Sequence, residues 1–199
     1  AVQAAITPST RLIYTETASN PLVRISDIPA LARLAKAHDL KLLVDNTFLS
    51  PALYQPLADG ADLVLHSTTK YLNGHSDATG GILVGDAEWV AQARRFQINA
   101  GGSASPFEAW LTFRGAKTLA LRMRAHSSNA LVLAEALQAH PRVAFGEGAH
   151  GLRHQARGGV GAGVEGVQAR CHQANEGSRR HSGVSGTRQP GLQDVASQL

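Results

Sequence analysis

Three stretches of the chain gather residue types that do chemistry. Glu16-Thr-Ala-Ser-Asn20-Pro21 offers a carboxylate and an amide. Asp45-Asn-Thr-Phe-Leu-Ser-Pro51 offers a second carboxylate among hydroxyls. His66-Ser67-Thr68-Thr69-Lys70-Tyr71-Leu-Asn-Gly74-His75-Ser76-Asp77 sets hydroxyls beside a lysine. Each stretch follows a short apolar run. A lysine amine forms a Schiff base with an aldehyde. A buried carboxylate keeps a pyridine nitrogen protonated, which makes the ring an electron sink. Hydroxyls and backbone N–H groups hold a phosphate. The set therefore suits an aromatic aldehyde that carries a phosphate. Position at the ends of apolar runs assigns the amine to Lys70 and the carboxylate to Asp45. It does not separate Ser67 from Thr68.

Other chemistries fit less well. His66, His75 and Asp77 lack the paired spacing and the nearby thiol of a metal site, so they read as polar loop residues and no metal is expected. The single cysteine, Cys171, excludes an intrachain disulfide and a Cys-rich zinc site, and reads as an incidental thiol. Gly161-Ala-Gly163-Val-Glu-Gly166 has dinucleotide-loop spacing but no credible strand before it. The net charge of 19 − 15 = +4 is scattered, without a basic run, so no nucleic-acid partner is expected. No apolar run approaches the roughly 18 residues of a membrane helix. Nothing near Ala1 has the order of a signal peptide.

The reactive stretches need elements to hold them. Arg11–Thr15, Lys41–Asp45, Asp62–His66 and Gly81–Gly85 read as buried strands. Ile25–His38 reads as a helix with Ser26 as its cap and Pro29 in an early turn. A short helical turn over Leu53–Asp59 stops at Gly60. Glu88–Asn99 and Pro106–Gly115 read as helices, and a long helix from about Lys117 to His140 ends at Pro141. Apolar strands alternating with helices predict an α/β fold, a mostly parallel sheet covered on both faces. In such sheets chemistry collects at the carboxyl ends of strands, where all three stretches lie.

The three motifs, in this order and spacing, resemble the Cys/Met-metabolism family of pyridoxal-phosphate enzymes. Ser-Pro-Phe-Glu-Ala-Trp-Leu-Thr-Phe-Arg-Gly-Ala-Lys-Thr-Leu at 105–119 matches a further family stretch, and the resemblance covers roughly residues 10–143. It implies a fold-type-I large domain, incomplete here, with pyridoxal 5'-phosphate as cofactor. By the resemblance Lys70 carries the Schiff base, Asp45 faces the pyridine nitrogen, Ser67 and Thr69 bind phosphate, and Asn20 lies near the ring hydroxyl and the substrate. It also implies a cytoplasmic enzyme acting on small sulfur amino acids or activated homoserine. A homotetramer of cystathionine γ-synthase or γ-lyase type is expected, with the homoserine-ester sulfhydrylases and methionine γ-lyase as neighbouring activities.

The sequence also departs from the family. A Gly-containing phosphate turn, a ring-stacking Tyr and a Tyr/Arg pair that family members carry before residue 10 have no counterpart. The substrate-carboxylate Arg has no matching position after residue 145. Residues 146–199 contain 12 Gly but no aromatic residue and no Lys, a composition that cannot bury enough surface to offset ordering. The expected organisation is a partial cofactor-binding domain over 1–115, then a long linking helix and the start of a C-terminal domain over 116–145. A Gly/Arg-rich tail over 146–199 completes it, disordered or read out of frame. On this reading the chain is a fragment, and catalytically silent alone is one expectation for it.

Overall fold

The sheet is built around Lys41-Leu-Leu-Val-Asp45. In this strand Leu42 and Val44 are fully buried, and Lys41, Leu43 and Asp45 alternate with them on the less buried side. The computed structural model describes residues 1–142 except Leu22; the expectation for 146–199 lies outside the described residues. The elements are β1 (Leu12–Glu16), α1 (Ile28–Ala37), β2 (Lys41–Asp45), α2 (Ser50–Leu53), β3 (Leu63–Ser67), β4 (Gly81–Gly85), α3 (Ala87–Ala100), α4 (Pro106–Ala116) and α5 (Leu119–Ala139). Between Pro56 and Asp59 the chain makes a 3-10 turn, which Gly60 ends with φ +94°.

The strands lie in the order β1-β2-β3-β4. β1 pairs parallel with β2, and β2 with β3. Register sets Glu16 opposite Asp45 and Asp45 opposite Leu65, so the polar stretches leave the sheet from one edge. The helix-bearing connections between β1, β2 and β3 are what parallel neighbours require. The α/β fold with a mostly parallel sheet is as expected.

β4 is the exception, because it runs antiparallel to β3. The chain between them stays at the carboxyl end of β3: Thr68 N donates to Gly80 O at 2.9 Å, and Ser67 faces Gly81. β4 therefore starts where β3 stops and runs back. The expected cover on both faces is also incomplete among the described residues. Ile82 and Val84 of β4 remain 45% and 42% exposed.

Local chemistry explains the helix ends. Asp27, not Ser26, caps α1, accepting Ala30 N at 3.0 Å. Ser26 Oγ is spent elsewhere and donates to Glu16 O at 2.7 Å. Asp86 caps α3, and Ser105 caps α4 by accepting Glu108 N. Ile28 and Ala35 of α1 pack into the core with Ile13, Leu40, Leu42, Val44, Leu63 and Val64. The short helix α2 begins at Ser50, ahead of the expected Leu53.

Candidate active site

At the carboxyl edge of β1, β2 and β3 the three loops enclose a cleft of about 860 Å³. Asn20, Asp45, Ser67, Thr69 and Lys70 all line it. In the sequence these residues lie in three separate stretches; the parallel register brings them to one place.

The floor is held by buried amide and hydroxyl bonds. Asn46 is completely buried. Its Oδ1 accepts Thr17 Oγ1 at 2.8 Å, and its Nδ2 donates to Tyr54 O at 2.8 Å and Ser50 O at 3.2 Å. Asn46 therefore ties the loop after β1 to the loop after β2. Asp45, the last residue of β2, is half-buried, and its Oδ1 accepts Thr47 N at 2.9 Å. Thr47 Oγ1 in turn accepts Ser67 N at 2.8 Å. These two bonds fix the Asp45 carboxylate relative to the start of the lysine turn. Tyr14 OH lies 3.4 Å from Asp45 Oδ2. Partial burial, then the charges of Asp45 and Glu16, raise the Tyr14 phenol above its ordinary value.

Lys70 stands in a π-type turn over Thr68–Leu72, with non-helical φ −89° and ψ −123° at the lysine itself. The turn closes through Asn73 N to Thr68 O at 3.0 Å and Gly74 N to Lys70 O at 2.8 Å. Thr69 Oγ1 accepts Gly80 N at 3.0 Å, which pins the turn to the start of β4. The Lys70 ammonium is exposed and makes no hydrogen bond or ion pair with the described residues. The Ser67 hydroxyl is likewise without a hydrogen bond among them. Asn20 is exposed, its N donates to Glu16 Oε2 at 3.2 Å, and its bond to Pro21 is cis.

Of the three polar residues set aside as metal ligands, His75 and Asp77 are engaged within the loop, and His66 is a buried residue of β3 rather than a loop residue. Asn73 Nδ2 donates to Asp77 Oδ1 at 2.7 Å, and His75 Nδ1 sits 2.7 Å from Asn73 O. Among the described residues no group of three His, Cys, Asp or Glu could hold a metal ion. His66 is 5% exposed and its Nδ1 has no partner among the described residues. Burial holds its imidazole below the ordinary value, against the opposing pull of the Asn46 backbone and the Asp45 charge.

Sequence reasoning missed Thr47, Arg122, Glu108 and His126, all of which line the cleft. Thr47 lies inside a motif without a role assigned to it. Arg122 and His126 are ordinary polar positions of a long helix, and no spacing within that helix marks them. Chemically, the cleft offers an amine unpaired among the described residues, a fixed carboxylate and the open hydroxyl of Ser67.

Residues 1–146 match the family described as Cys/Met metabolism PLP-dependent enzymes. A cystathionine gamma-synthase of Mycobacterium leprae is 58% identical over 144 residues, 72% of this chain and 37% of the relative. The crystal structure of cystathionine gamma-lyase from Lactobacillus plantarum complexed with L-serine superposes with a TM-score of 0.66. It is 51% identical, over 70% of this chain and 37% of the other. Cystathionine gamma synthase from Xanthomonas oryzae pv. oryzae, solved with aminoacrylate and cysteine, gives 0.64 at 52% identity, over 66% and 34%. The chain thus spans little more than a third of the length of such relatives. A match of this extent, on a sheet whose edge gathers those side chains, makes the chain a member of the Cys/Met-metabolism family of pyridoxal-phosphate-dependent enzymes.

Proposed function

We propose that the chain supplies the cofactor-binding part of a cytoplasmic, homotetrameric enzyme of cystathionine γ-synthase or γ-lyase type, which works on sulfur amino acids or activated homoserine by elimination or replacement. In this reading residues 1–115 belong to the cofactor-binding domain, and 116–145 carry the linking helix. One observation carries the proposal: Asn20, Asp45, Ser67, Thr69 and Lys70 line a single cleft. The similarity to a γ-synthase at 58% identity and to a γ-lyase at 51% supports the reaction class.

The donor set fits a phosphorylated pyridine aldehyde. It holds an amine that no carboxylate neutralises among the described residues, a carboxylate fixed at the end of β2, and hydroxyls on and just before the turn that bears the amine. When bound, the cofactor supplies a carbonyl for the substrate amine and a ring that spreads negative charge. Lys70 would be the covalent attachment point. Displaced by the substrate amine, its Nζ would accept the proton from the substrate carbon next to nitrogen and return it at a neighbouring carbon. Asp45 would hold a proton on the ring nitrogen. Its Oδ1 is already fixed by Thr47 N, so the carboxylate meets the ring without reorganising. Ser67 and Thr69 would donate to the phosphate, and Asn20 would sit toward the ring hydroxyl and substrate.

The test is direct. Addition of pyridoxal phosphate to the chain is expected to give a visible absorption band, and borohydride reduction with peptide mapping is expected to place the adduct on Lys70. A reduced adduct on another lysine would overturn the assignment. No band at all would favour a second reading, a non-catalytic fragment, which the coverage of 37% of the relatives' length supports.

A further inference from the structure

We infer that Arg122 is a positioning residue for Lys70, clipping the far side of the lysine turn to the corner between α4 and α5. The inference rests on Lys70 being the reacting amine, as proposed above. Arg122 lies in the first turn of α5. Its Nη1 donates to the carbonyl of Tyr71, the residue after Lys70, at 2.8 Å across 51 positions of sequence. Its Nη2 donates to Gly115 O at 2.8 Å, in the last turn of α4, and its Nε to Thr118 Oγ1 at 3.1 Å. Three directions of one rigid planar group are thereby used, a geometry that a lysine ammonium does not reproduce. No partner is a carboxylate, so these are charge-assisted bonds to neutral acceptors.

The fit around the clip is close. Gly74 has φ +74°, and a side chain there would overlap the Arg122 guanidinium. A methyl group on Gly115 would overlap the carbonyl of Asn73. Among the described residues, the bond from Arg122 is the hydrogen bond that ties residues 70–77 to another element. The Lys70 side chain has no partner among the described residues, so the backbone of its turn sets where the amine points. On the near side that backbone is pinned by Gly80 N to Thr69 Oγ1. On the far side it is pinned by Arg122.

Hydrogen exchange on the 199-residue chain tests the clip. Arg122→Ala is expected to speed exchange at the Asn73 and Gly74 amides by roughly tenfold or more, the worth of a charge-assisted bond. The Val44 and Asn46 amides in the sheet should keep their rates. Arg122→Lys should restore only part of the protection. In the same variant, trapping of pyridoxal phosphate on Lys70 by borohydride is expected to fall several-fold, while any background on Lys36 and Lys117 stays unchanged. Unchanged exchange at Asn73 and Gly74 would overturn the inference, and so would an equal rise at Val44 and Asn46, which would make Arg122 a general stabiliser. Should Arg122→Ala fail to fold, Thr118→Val removes the Nε acceptor, together with the bond from Thr118 Oγ1 to Gly115 O, and leaves the bond from Nη1 to Tyr71 O in place. A smaller rise at the same two amides supports the clip, and no rise overturns it. If wild-type Lys70 takes no label, the anchor role fails while exchange still judges the clip, so the two ideas fall separately.

Discussion

At the scale of single residues, Lys70 is distinguished by what it lacks. Lys41 bonds Asp62 Oδ1 at 3.0 Å at the opposite edge of the sheet, and that carboxylate raises its pKa, which makes it a poorer amine. Lys70→Ala is therefore expected to abolish the borohydride-stable adduct altogether, as peptide mapping would read. Asp45→Asn keeps an oxygen for Thr47 N but loses the charge. Removing one member of a buried ion pair costs about 3 kcal/mol or more. In an enzyme of full family length carrying this site, turnover should fall by roughly 10²-fold with cofactor still bound. His66 makes a different prediction. Its folded pKa lies below the ordinary 6.5, so the unfolded chain takes up the proton first. The stability is complete above about pH 6.5 and drains away as pH falls toward the depressed folded value. Melting temperature should fall as pH drops below about 6.5, and His66→Gln should flatten that slope. That Asp45 and Lys70 meet in one cleft is legible in the sequence because each lies at the end of an apolar run, whereas Asn20, Ser67 and Thr69 stand out only through the family resemblance. Arg122 is not legible, since its partners Tyr71 and Gly115 are set by how two helices meet the turn.

At the scale of elements, the boundaries of β2 and β4 are legible, since a three-residue apolar run between polar or glycine ends has few alternatives. The direction of β4 is not, because such a run looks the same either way. The cap of α1 goes to Asp27 because Ser26 is claimed by the carbonyl of Glu16, a tertiary partner no local rule reveals. Contacts between elements make firmer predictions. Gly115 brings α4 against the backbone of the lysine turn, so Gly115→Ala should force the helix outward. A loss of about 1–3 kcal/mol is expected, typical of overpacking, and chemical denaturation would measure it. Asn46→Ala should cost about as much or more, since Thr17 Oγ1 and the carbonyls of Ser50 and Tyr54 would all lose a buried partner.

Across the whole molecule, the described surface carries aromatic side chains that no described element covers. Phe107, Trp110 and Phe113 succeed one another at helical spacing on α4, and the two phenylalanines are each 67% exposed. Phe107 stacks on Trp110, and Arg114 and Lys117 lie over the Trp110 and Phe113 rings. Exposed apolar stripes of this kind drive association. Sedimentation of the chain should give a mass above its 21.0 kDa, and Phe107→Ser with Phe113→Ser should bring it down. The order of strands carries one more consequence. β1, β2, β3 and β4 neighbour one another in the order in which they are made. On a ribosome each strand would emerge beside a partner already present, so the sheet can grow by addition at one side without waiting for distant sequence. The lysine turn is different, because its far clasp comes from Arg122, synthesised after β4. The nascent sheet would thus precede a positioned amine, and the emergence of the first turn of α5 would mark when the site becomes competent.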